Sequence, residues 1–238
     1  MIDVALSPAD ISHLTEADLR ETTVVVFDVL RATSSMITGL AHGVAGFFPV
    51  RTVEVAREWK ERKPDLLLAG ERSGVPPPGF DLGNSPSEFK NVRDRQIIIT
   101  TTNGTVALEQ VRNAKTVLIG ALLNIAALAE FIRSSSPQHL LLVCAGTGDR
   151  FSLEDGVGAG ALLASLKRTD YLDAASMVHS LFSQVRDDLG ACLCHSQNGR
   201  ALLALGKESD VRDCGQLSIY DTVGIMRGPA VVSAKMTV

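Results

Sequence analysis

The 238 residues are 45% hydrophobic and 21% charged, the make-up of a soluble globular protein; at this length roughly three quarters of the extended chain's surface can be buried. The net charge of -4 argues against a nucleic-acid surface, and no apolar run approaches the roughly 20 residues that cross a bilayer. Met1-Ile2-Asp3-Val4 lacks a secretory pattern, and Cys144, Cys192, Cys194 and Cys214 do not space like a zinc site, so the chain reads as a cytoplasmic protein with reduced thiols.

In chain order, a β-branched apolar run over 22–27 predicts a buried strand, and 33–42 predicts a helix stopped by Gly43. A strand at 46–50, a helix at 53–62 before Pro64 and a strand at 66–69 follow. Strand 96–100, helix 105–112, strand 116–119, helix 124–133 and strand 139–143 continue the alternation. Beyond them come a small-residue helix at 152–167, helices at 174–189 and 199–205, and a candidate last strand at 230–238. This alternation predicts an α/β fold, a largely parallel sheet with helices on both faces. With no linker or repeat, residues 1–238 are expected to form a single domain, mainly helical from about residue 176.

Polar clusters stand where the apolar runs end, the place where α/β proteins bind ligands. Asp28 follows Val24-Val25-Val26-Phe27 and is either a metal ligand or nucleophile, or a helix cap; Arg31 beside it points to an anion. Leu30 stands where haloacid-dehalogenase phosphatases need a second acid. Glu71 and Arg72 suit a metal and an anion oxygen, or a loop ion pair. In the stiff loop after Pro76-Pro77-Pro78, Ser85 and Glu88 fit a capping box, which leaves Asp81 and Asn84 to be explained. Thr100-Thr101-Thr102-Asn103-Gly104-Thr105 joins a strand to a helix and offers hydroxyls and backbone N–H groups to an anion. Cys144 and Arg150 have the spacing of cysteine-dependent phosphatases, but a buried cysteine beside the Gly146-Thr147-Gly148 turn is the alternative. Ser152 with Asp155 fits a capping box, while the adjacent Glu154 and Asp155 suit magnesium.

Together these clusters resemble the 2-phosphosulfolactate phosphatases. The matching stretches are 28–33, 70–72 with Gly74, 79–86, 100–107, Asn124, 144–146, and 151–155 with Ala159-Gly160, spanning about residues 22–165. Gly199-Arg200, Asp210 and Cys214 fit more loosely, and Asp221-Thr222-Val223-Gly224 departs from the family's pattern. The resemblance implies a three-layer α/β/α sandwich, a homodimer, and a Mg²⁺-dependent hydrolysis of 2-phospho-3-sulfolactate to 3-sulfolactate and phosphate, a step toward coenzyme M. On that basis Asp28, Asp81 and Asp155 are candidate catalytic residues, and Asp28, Glu71, Glu154 and Asp155 candidate Mg²⁺ ligands. Arg31, Arg72, Asn84, Thr101, Asn103, Gly104 and Gly146 are the expected binders of a small anionic phosphorylated substrate, with neither nucleic acid nor membrane as partner. Two other functions are compatible with the same residues: a metal-independent phosphatase using Cys144 and Arg150, and a non-enzymatic phosphometabolite-binding protein.

Overall fold

A computed structural model describes residues 1–234. It opens with β1 (Ile2–Ala5), α1 (Pro8–Ser12) and α2 (Glu16–Arg20). The predicted alternation follows as β2 (Thr22–Phe27), α3 (Ala32–Ala41), β3 (Gly46–Pro49), α4 (Val53–Arg62) and β4 (Leu67–Gly70). A 3₁₀ turn at Pro86–Phe89 leads to β5 (Gln96–Thr100), α5 (Gly104–Gln110), β6 (Thr116–Gly120), α6 (Ile125–Ser135) and β7 (His139–Cys144). Helices α7 (Leu153–Leu166), α8 (Asp173–Val185), α9 (Leu189–His195), α10 (Gln197–Ala204) and α11 (Glu208–Cys214) come next, and β8 (Gly224–Arg227) and β9 (Ala230–Ser233) close the fold. The expected final strand is thus the second arm of a hairpin, and 235–238 lie outside the described residues.

The described strands form one mixed sheet in the order β1-β7-β2-β6-β8-β9-β3-β5-β4. Two parallel blocks, β1-β7-β2-β6 and β3-β5-β4, are joined by the antiparallel β8–β9 hairpin. Sheet twist, roughly 20–25° per strand, accumulates over the steps from β2 to β5. The antiparallel pairings reverse the ladder between the blocks, yet the loop after β2 meets the loop after β5, where Gly104 lies against Asp28.

The period-2 alternation of strand side chains sorts the core onto two faces. Val24 and Val26 pack with Met36 and Ile37 of α3 and Leu108 of α5. Val25 and Phe27 pack with Leu128 of α6, Leu162 of α7 and Val178 of α8. In the second block, Leu68 and Ile98 sit under Ala56 and Trp59 of α4. Helices thus cover both faces, as the predicted α/β sandwich requires. Fully burying each such aliphatic side chain contributes ~1.5–3 kcal/mol. Helix α4 also shows why its bounds are legible: Thr52 Oγ1 accepts from Val55 N (3.2 Å), Glu54 lies in the first turn, and Lys60 and Arg62 lie in the last.

Candidate active site

The loop after β2 is closed on itself by Thr33, whose hydroxyl accepts from Asp28 N (3.1 Å) and donates to Asp28 O (2.9 Å). The peptide between Leu30 and Arg31 in this loop is cis. The Asp28 carboxylate accepts from Ala32 N (3.2 Å) at the start of α3 and from Gly104 N at the start of α5. It is therefore both a helix-end acceptor and a wall of a cavity of about 410 Å³. Burial pushes Asp28 up to about 7; the nearby Glu71 and Glu154 add to this, against the two backbone hydrogen bonds. Gly104 is required at this close approach, because a Cβ there would lie 2.4 Å from Asp28 Oδ2 and 2.7 Å from Ala32 Cβ.

Asp155, in the first turn of α7, accepts from Val29 N (2.8 Å) and Gly146 N (3.0 Å). It pins the loops after β2 and β7 together, so the capping-box expectation with Ser152 is not met: the Ser152 hydroxyl bonds Thr147 Oγ1 (2.6 Å) instead. Gly146 turns at φ +71, and a Cβ there would meet Arg150 O at 2.5 Å. Burial, with Glu154 and Asp28 nearby, holds the Asp155 carboxyl well above the usual carboxylate range. Glu71 bridges two further loops, accepting from Gly74 N (2.9 Å) and Thr102 N (2.8 Å).

Asp28, Arg31, Glu71, Arg72, Asn84 and Asn103, all expected from the sequence, line this one cavity. Arg72 is held over it by hydrogen bonds to Glu71 O (2.6 Å) and Thr100 Oγ1 (2.9 Å). Asn84 is buried there with an unpartnered Oδ1. Arg31 is 3% exposed, and its terminal nitrogens donate to Asp210 Oδ2 (2.5 Å), Ser85 Oγ (3.1 Å) and Gly74 O (3.0 Å). The expected Ser85–Glu88 capping box is half present: Ser85 N donates to Glu88 Oε2 (2.9 Å), but the Ser85 hydroxyl goes to Asp210 (2.7 Å).

Four expected residues, Gly104, Gly146, Glu154 and Asp155, are buried next to groups of the cavity wall without lining it, and two more lie elsewhere. Asp81 does not line the cavity; it accepts from Leu68 N (2.7 Å) and pairs with Lys60 (3.6 Å). Thr101 is spent on α5, its Oγ1 accepting from Thr105 N (3.1 Å), and its neighbours Thr102 and Asn103 take the cavity positions. The cysteine-nucleophile alternative does not suit the geometry. Cys144 is fully buried at the end of β7, and burial together with Asp155 and Glu154 pushes its thiol well up, away from the thiolate that attack requires. Arg150 is exposed and outside the cavity.

The C-terminal helices add residues that no sequence motif flagged. From α10, Asn198 reaches the cavity, as do Ala201, Leu202 and the following Leu205, which form its apolar wall. Asn198 Nδ2 donates to Glu154 Oε1 (2.6 Å) and Thr147 Oγ1 (2.7 Å).

The donor set suits a hard cation, being all oxygen, and Glu154 Oε2 is a buried carboxylate oxygen without a hydrogen-bond partner. Among the described residues no three Asp, Glu, His or Cys side chains form a ready cage. Mg²⁺ asks for less, since it keeps several waters and takes one or two carboxylates.

A family model described as 2-phosphosulpholactate phosphatase matches residues 9–229. A protein of Thermotoga petrophila named "Probable 2-phosphosulfolactate phosphatase" is 40% identical over 225 residues, covering 94% of each chain. Proteins of the same name from Thermotoga maritima (38%, 98% of this chain and 96% of the relative) and Nostoc punctiforme (36%, 94% and 96%) match over similar lengths. No helix among the described residues is long and apolar enough to cross a membrane. With a charged cavity at its strand ends and these relatives along nearly its whole length, the chain belongs to the 2-phosphosulpholactate phosphatase family of phosphoric monoester hydrolases.

Proposed function

We propose that this protein is a Mg²⁺-dependent phosphatase that hydrolyses 2-phospho-3-sulfolactate, or a closely related small phosphorylated acid, to the hydroxy acid and phosphate. With the sulfonated substrate this is a step toward coenzyme M. One observation carries the reading. Asp28 and Glu71 line a cavity that also holds Arg72 and Asn103, with Glu154 buried close enough to raise the proton affinity of both Asp28 and Asp155. Carboxylates repel a phosphate ester unless a cation stands between them.

Asp28, Glu71 and Glu154 would hold Mg²⁺, which when bound neutralises charge on the ester oxygens. Arg72 and the Asn103 amide, which line the same cavity, would bind phosphate or sulfonate oxygens. Held beside the metal, the Asp28 carboxylate would orient the attacking water and accept a hydrogen bond from it. Asp155 keeps Asp28 in place by tying Val29 N to Gly146 N. The apolar wall of Ala201, Leu202 and Leu205 limits water at the cavity. Four free thiols support a cytoplasmic location.

The test is phosphate release from a panel of small phosphorylated acids, with and without Mg²⁺. The reading expects kcat/KM to be highest for acids carrying a second anionic group, and to depend on Mg²⁺. Release from none of the panel would overturn it.

A further inference from the structure

Glu154 is a buried acid with an asymmetric environment. It is 1% exposed, one oxygen is tightly bonded, and the other has no hydrogen-bond partner. A half-satisfied buried carboxylate is costly, and in native structures such a group marks strain, a catalytic role or an ion. What decides which oxygen remains free is Asn198. An amide nitrogen carries two hydrogens; those of Asn198 go to Glu154 Oε1 (2.6 Å) and Thr147 Oγ1 (2.7 Å). Thr147 is itself locked to Ser152 Oγ (2.6 Å). The first turn of α10 that carries Asn198 is capped by Ser196, whose Oγ accepts from Gly199 N (3.0 Å). A single short hydrogen bond thus joins the Asn198 side chain of α10 to Glu154 Oε1.

We propose that Asn198 is a positioning residue for the cation. By holding Glu154 Oε1 and clamping the Thr147 loop, it leaves Oε2 as the oxygen presented to a divalent cation bound with Asp28. The proposal rests on the phosphatase reading above, and deepens it by naming a residue that acts on the metal through Glu154. Partners of this kind around a ligand set the ligand's orientation, and their loss weakens metal affinity about 10–100-fold.

The experiment is a calorimetric titration of Mg²⁺ into the full-length protein without substrate, followed by kinetics across Mg²⁺ concentrations. Asn198→Ala removes the donor; Asn198→Asp, of the same shape, replaces it with a charge that opposes Glu154 and decides the matter should the alanine variant fold poorly. Arg200→Ala, on an exposed side chain of the same helix, controls for disturbance of α10. Both Asn198 variants are expected to weaken Mg²⁺ about 10–100-fold, and to raise the Mg²⁺ concentration for half-maximal rate in step. KM for the phosphate ester at saturating Mg²⁺ should change little, and Arg200→Ala should match the parent. Unchanged Mg²⁺ affinity in both variants overturns the role of Asn198 and leaves the phosphatase reading standing. So does an equal loss in Arg200→Ala. A parent protein that binds no Mg²⁺ overturns the role and the magnesium reading together.

Discussion

The loops after β2 and β4 bring charge to the cavity and those after β5 and β7 bring neutral polar groups, whereas helices α10 and α11 bring the groups that hold the charges in place. Asp28, Glu71, Arg72 and Asn103 each reach it from a strand end. Asn198 and Asp210 instead fix a partner already there, Glu154 in one case and Arg31 in the other. The two regions therefore tolerate change differently. Altering a strand-end acid removes a reacting or binding group. Altering an α10 or α11 residue leaves that group present but wrongly oriented, or buried without a partner.

The contrast can be broken by substitution. The largest effect is expected from Asp28→Asn, which keeps the shape but removes the ionisable group; turnover should fall about 10²–10⁴-fold with the circular dichroism spectrum unchanged. Asp210→Ala should act on stability first. It leaves the Arg31 guanidinium, 3% exposed, without its carboxylate, and breaking a buried pair from one side costs about 3–5 kcal/mol, readable by urea denaturation. Gly104→Ala should spare the fold more than the rate: the new methyl displaces Asp28, and a misplacement of about 1 Å can cost roughly 10²-fold.

A pH experiment sharpens the same comparison. Asp28 titrates near 7 when folded against an ordinary value of 3.8, so the folded protein holds that proton more tightly than the unfolded chain. Its contribution is therefore destabilising above about pH 7 and is relieved as pH falls toward 4. In EDTA the melting temperature of Asp28→Asn should gain on that of the parent as pH rises from 5 to 8. Equal profiles would place the acid strain elsewhere. The smallest effect is expected from Asp81→Asn, since Asp81 serves Leu68 N and Lys60 outside the cavity; kcat/KM should stay within about threefold, as for surface changes away from special features.

This difference between the regions also explains what was legible in the sequence. Apolar β-branched runs with turn residues at their ends announce themselves, and β2, β5 and α4 fall on their expected bounds. Polar clusters at strand ends likewise announce a site, because few other places combine Asp, Arg, Thr and Gly after an apolar run. Within a cluster, local chemistry is a poorer guide to role. Ser85 and Asp155 both satisfy capping patterns, yet their side chains are drawn to Asp210 and to the Val29 and Gly146 amides. Those partners lie 125, 126 and 9 positions away, and the two distant ones follow from packing alone. Asn198 sits in Gln197-Asn198-Gly199, which carries no signal beyond helix start chemistry. Strands β1 and β8, of four residues each, were missed because their identity depends on the ladders that β7 and β6 offer them.

The most direct test of the central claim, one cavity that joins a divalent cation to a phosphorylated acid, is phosphate release from 2-phospho-3-sulfolactate by the parent protein in Mg²⁺ and in excess EDTA. The account predicts steady turnover in Mg²⁺, its loss in EDTA and its return when Mg²⁺ is restored. Undiminished turnover in EDTA would contradict it.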